Sequence, residues 1–187
     1  MVKLMSPDPF SGVLTVGHST RAIEDFLKIL RAHGVERLLD VRTVPKSRYN
    51  PQFETTALAE SLRGAGIEYR HMPGLGGLRH ARKDSTNTGW RNDSFRGYAD
   101  YMQTAEFEKN LDELIAAAEE KRTVVMCAEA VPWRCHRSLI ADALLARGIR
   151  AEHILSETDR KPHSLTSFAK VNGNRVTYPP DSLTLDL

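Results

Sequence analysis

The residues best equipped for chemistry lie in the stretch MCAEAVPWRCHRSLIADALLARG, Met126 to Gly148. It holds both cysteines of the chain, Cys127 and Cys135, together with Glu129, Arg134, His136 and Arg137. A thiolate is a nucleophile or a soft metal ligand, a carboxylate or imidazole moves protons, and guanidinium groups hold anions. The run begins as an apolar strand and ends with the apolar spacing of a helix, which puts Cys135 about where the helix starts. The positive helix end and the neighbouring Arg134, His136 and Arg137 would favour its thiolate. Cys135 is therefore the expected nucleophile, with His136 and Glu129 as proton-transfer groups and Arg134 and Arg137 as anion ligands, whereas Cys127, at a strand end, is expected in the core. A metal site of Cys127, Cys135 and His136, joined by His18 or His71, is a further possibility. Its spacing matches no structural zinc pattern, and the sequence identifies no cofactor.

Three other polar clusters follow apolar runs. In GHST, Gly17 permits a tight turn, Ser19 and Thr20 can cap a helix or hold an anion at its first amides, and His18 is a candidate catalytic group. LLDVR ends with Asp40 and Arg42, which alternation puts on one side of a strand; they read equally as a functional pair and as an internal ion pair. PKSRYNPQF mixes Lys46 and Arg48 with Tyr49 and Phe53, a combination suited to a base stacked beside a phosphate and equally to an anchored loop. MPGLGG lacks the Lys-Ser/Thr ending of a phosphate loop; Gly76 would line a cleft and admit a ligand closely. Residues 73–97 form a long polar loop, a candidate lid carrying Arg79, His80, Arg82 and Trp90.

Positioning these groups requires a scaffold. VLTVG, RLLDVR, IEYRHM, TVVMCA and IRAEHIL are strand-like and alternate with helical patterns, such as Phe107, Leu111, Leu114 and Ile115 on one face. This predicts an α/β fold: one three-layer domain over residues 1–187 with a mostly parallel sheet of about five strands and helices on both faces. Its core spans about 13–155, followed by a weakly patterned tail, 156–187. Ligands of such sheets bind beyond the carboxyl ends of the strands, where all four polar clusters fall.

The chain has 187 residues, 41% hydrophobic and 27% charged, as expected of a globular domain rather than a disordered one. Its apolar runs fall far short of the roughly 18 residues of a membrane span, and MVKLMSPDPF lacks a signal-peptide core, so a cytoplasmic protein with no membrane partner and reduced thiols is expected. The net charge of +2 identifies no nucleic-acid binder, yet residues 41–99 carry ten basic against five acidic side chains.

The cysteine–loop–arginine order is similar to phosphatase and rhodanese loops, although six residues separate Cys127 from Arg134, one more than in those phosphatases. Together, TVGHST, LLDVR with PKSR, MPGLGG, GYADYM and CAEAVPWRCHR resemble domain-of-unknown-function family 488 from about Val13 to Ile154. The resemblance implies an α/β fold with its cysteine and histidine segments near one cleft, and no established reaction. Three readings follow: an enzyme acting on an anionic small molecule or nucleic acid, a non-catalytic nucleotide or nucleic-acid binding module, and a set of ion pairs and turns that only hold the fold.

Overall fold

The computed structural model describes residues 10–46 and 48–180. The first nine residues, on which the expectation of no signal peptide rests, Ser47 of the PKSR motif and the end of the tail fall outside them. Five parallel strands form the centre: β1 (Val13–Gly17), β2 (Arg37–Asp40), β3 (Glu68–His71), β4 (Thr123–Cys127) and β5 (Ala151–Ile154). An antiparallel edge strand the sequence did not suggest, β6 (Arg160–Pro162), makes the order β3-β2-β4-β1-β5-β6. A hairpin of β7 (Lys170–Asn172) and β8 (Arg175–Thr177) stands apart from it.

Alternate side chains of the sheet feed two cores. Leu14, Val16, Leu38, Val124 and Met126 pack under α1 (Ile23–Ala32) and α2 (Thr55–Gly64). Val13, Leu39, Val125 and Cys127 pack under α3 (Asp93–Tyr101), α4 (Ala105–Glu120) and α5 (Arg137–Ala146). The expected three layers are present because buried parallel strands must be covered on both faces. Among the described residues, no helix is long and apolar enough to cross a membrane.

β1 and β4 are neighbours, yet β1 leads to α1 on one face and β4 to α5 on the other. Diverging connections open a crevice at the carboxyl ends of such strands. The long 73–97 segment is a wall more than a free lid. Asn92 caps α3 by accepting from the amides of Ser94 and Phe95, so the helix begins at Asp93, earlier than expected. Trp90 stacks on Phe95 and packs against Phe168 and Tyr178. The tail likewise covers the core, with Tyr178 and Val176 buried.

Candidate functional site

The crevice is a cavity of about 640 Å³ walled by the segments after β1, β2, β3 and β4 and by α3. Pairing of β1 with β4 continues past the strands: Gly17 lies opposite Cys127, the His18 amide donates to the Cys127 carbonyl at 3.0 Å, and the Ser19 amide donates to Ala128 at 2.9 Å. Ser19 therefore neither caps a helix nor offers a free amide. α1 starts only at Ile23, and Ser19 takes a left-handed φ of 51°. Leu78, across the cavity, has φ 59°. Among the described residues these are the two non-glycine positions with positive φ, and both line the cavity, where strained backbone concentrates at ligand sites.

The floor is a cluster of two sulfurs and an imidazole. His136 Nδ1 lies 4.0 Å from Cys127 Sγ and 3.8 Å from Cys135 Sγ. The ring packs 5.0 Å from that of Tyr98 and rests on Gly77, where a Cβ would fall 3.0 Å from Nδ1. Cys127 is buried in the core, as expected, and also lines the cavity wall with Cys135. Of the two thiols, Cys127 is the one held well below the usual thiol range, by hydrogen bonds from Cys135, from His136 and from the backbone N–H of Glu129, against the opposing effect of burial. Cys135 is pushed up, because its proton is held in the bond to Cys127 and it is buried. This order reverses the one expected from the helix start. The helix begins at Arg137, and its amide at Cys135 is outweighed by the neighbouring sulfur.

A second cluster stands beside it. The His18 Nδ1–H donates to the Ser19 carbonyl at 2.7 Å, which leaves Nε2 to accept from Arg42 Nη1 at 3.3 Å. The ring stacks on Phe53 at 4.2 Å. Burial, the dominant influence, lowers the His18 pKa and agrees with this neutral tautomer. Arg42 is gripped by Asp40 through Nε at 2.8 Å and Nη2 at 2.6 Å, and Nη2 also donates to the Phe53 carbonyl at 2.8 Å. Asp40 accepts the Tyr69 hydroxyl as well, at 2.9 Å.

The expected residues His18, Ser19, Thr20, Arg42, Glu129, Arg134, Cys135 and His136 all reach the cavity wall. Four others do not. Asp40 is fully buried beneath Arg42, because β2 aims it at the α1–α2 face; Arg137 is buried and braces the Glu129 and Ala130 carbonyls. Gly76 packs against Thr43, and Arg48 is exposed outside the wall. His71 donates to or accepts from nothing in the sulfur cluster; its Nε2 bonds the Arg42 carbonyl at 2.8 Å. Phe95, Tyr98, Val44 and Leu78 supply apolar wall that the sequence reading missed. The Asn92 cap was the legible signal for α3, and with it for Phe95 and Tyr98.

Fold and site define a three-layer α/β domain with a thiol–imidazole cluster at the carboxyl edge of a parallel sheet. The chain belongs to the family described as Domain of unknown function DUF488, whose profile matches residues 22–144. Neither the curated proteins nor the solved structures contain a match to it.

Proposed function

We propose that the protein is an enzyme acting on an anionic, phosphate-bearing small molecule of nucleotide size in this cleft. One observation carries the reading: thiol, imidazole and carboxylate groups of the β4–α5 connection share a cavity wall with Arg42, Lys46 and Arg134. Lys46 and Arg134 are exposed at the wall and suit a phosphate, while Phe95 and Tyr98 suit an apolar ring. Glu129, half-buried and with its carboxylate accepting from the Val131 amide at 3.4 Å, is the available proton-transfer group.

The test is binding of inorganic phosphate and mononucleotides, followed by product analysis of the bound compound. Arg134→Ala and Lys46→Ala should each weaken binding several-fold, and Glu129→Gln should abolish turnover while leaving binding nearly intact. Absence of binding to all of these ligands would reject the proposal. A non-catalytic nucleic-acid module is the second reading, favoured by Tyr49, 89% exposed beside Arg48, and Trp133, 71% exposed beside Arg134. It requires oligonucleotide affinity that falls steeply with salt, with no product formed.

A further inference from the structure

We propose that Cys127, Cys135 and His136 are the ligands of one zinc-class divalent ion whose fourth coordination position opens into the cleft. The inference rests on reading the cleft as a reaction centre and names what stands at that centre. Among the described residues this is the one group of three or more potential metal-ligating side chains whose donor atoms converge, all within 4.8 Å of one another.

The spacing of the donors favours an ion over a simple hydrogen-bonded cluster. The two nitrogen–sulfur hydrogen bonds, at 3.8 and 4.0 Å, are long and hold the donors only loosely together. Zinc bonds of about 2.3 Å to sulfur and about 2.0 Å to nitrogen at tetrahedral angles hold such donors roughly 3.5–3.8 Å apart, so the nitrogen–sulfur separations need contract by a few tenths of an ångström and the sulfur–sulfur separation, within 4.8 Å, by up to about one ångström. The imidazole is already aimed. Its Nε2 is buried without a hydrogen-bond partner, so no bond there sets the ring; packing between Gly77 and Tyr98 does, and it turns Nδ1 toward both sulfurs. Two thiolates and an imidazole are soft donors, which suit zinc and not magnesium or calcium. All three residues line the cleft, so a fourth ligand would come from solvent or substrate. Three protein ligands with one open position is the arrangement of catalytic zinc, whereas structural sites are closed by four. Glu129 lies two residues beyond the first ligand, in the same wall and outside the donor group, where it can accept a proton from a molecule at the open position.

The experiment uses the full chain freed of metal by a chelator and titrated with Co²⁺, then Zn²⁺. Expected are a thiolate-to-cobalt charge-transfer band and intense visible absorption of a tetrahedral ion, saturating at about one equivalent and displaced by Zn²⁺. Cys127→Ser and Cys135→Ser, checked for folding by circular dichroism, should each weaken binding by at least roughly tenfold, and His71→Asn should bind as wild type. If both cysteine variants unfold, thiol alkylation of the wild type decides, because ligated sulfurs are protected by Zn²⁺. A missing charge-transfer band, unaltered affinity in folded cysteine variants, or thiols alkylated equally with and without Zn²⁺ would overturn the inference. Zinc binding without affinity for any phosphate-bearing ligand would sink the proposed function and leave this site standing. Turnover of such a ligand by protein that binds no Co²⁺ would do the reverse.

Discussion

The backbone of Glu129 passes directly over Gly17: a Cβ at position 17 would lie 1.9 Å from the Glu129 carbonyl oxygen and 2.9 Å from the Ala130 Cα. The β4–α5 connection, which carries the carboxylate and leads to the second thiol, is thus seated on a bare patch of β1. Gly17→Ala must push residues 129–130 away. Overpacking of this kind costs about 1–3 kcal/mol. Urea denaturation should register that loss, and access of a thiol reagent to Cys127 should rise.

Asp40 and Arg42 answer a question the sequence left even. Asp40 is fully buried, outside the cavity wall, and engaged by Arg42 and Tyr69, so its role is to position the guanidinium. Replacing it with alanine leaves a buried cation without its partner, a loss of about 3–5 kcal/mol. Asp40→Asn keeps the shape and one acceptor oxygen and should lose less. The ordering Ala worse than Asn worse than wild type, read from denaturation midpoints, checks this; equal stability of all three would remove the positioning role.

How far the sequence disclosed the structure depends on where the physical signal is local. VLTVG and TVVMC are buried on both faces, so their unbroken apolar, β-branched runs were readable as central strands. Phe107, Leu111 and Leu114 likewise marked the buried stripe of α4. β6 was not readable, since RKP is short, polar and set only by pairing with β5. The clustering of His18, Arg42 and Cys135 followed from the rule for parallel sheets, but the direction of each side chain did not. Asp40 and Arg137 carry letters that suit a site and are used up on Arg42 and on backbone carbonyls. Cys127 read as core because it ends a buried strand, and it does pack in the core; that the same strand end is also the floor of the crevice was not legible.

Arg137 supplies the brace for that floor. Its side chain is buried, and it donates through Nη1 to the Glu129 carbonyl and through Nη2 to the Ala130 carbonyl at 2.8 Å. A lysine carries the charge but lacks the planar fork that spans two carbonyls. Arg137→Lys should therefore cost about 1–3 kcal/mol through an unsatisfied buried carbonyl. Hydrogen exchange at residues 129–131 should quicken more than in the remote helix α4, which distinguishes a local brace from a general loss of stability.

Acid should unfold the protein through the opposite edge of the sheet. His153 in β5 is hydrogen-bonded through Nδ1 to the Thr15 hydroxyl at 2.7 Å and through Nε2 to His163 at 2.9 Å, and His163 reaches the fully buried Asp142 at 2.8 Å. Burial, with smaller contributions from His163 and Arg137, lowers the His153 pKa to about 3. The native state keeps this ring neutral, while the unfolded chain takes up a proton below about pH 6.5. Stability from this group is therefore fully present above about pH 6.5 and lost as pH falls toward about 3, at about 1.4 kcal/mol per pH unit. Urea denaturation of wild type and His153→Gln between pH 7 and 4 isolates the effect, since the carboxylates common to both cancel in the difference. The variant should start less stable and lose stability more gently, by about one proton's worth of slope. Parallel curves would mean that His153 is protonated in the native state and that the Thr15–His153–His163–Asp142 chain carries a positive charge.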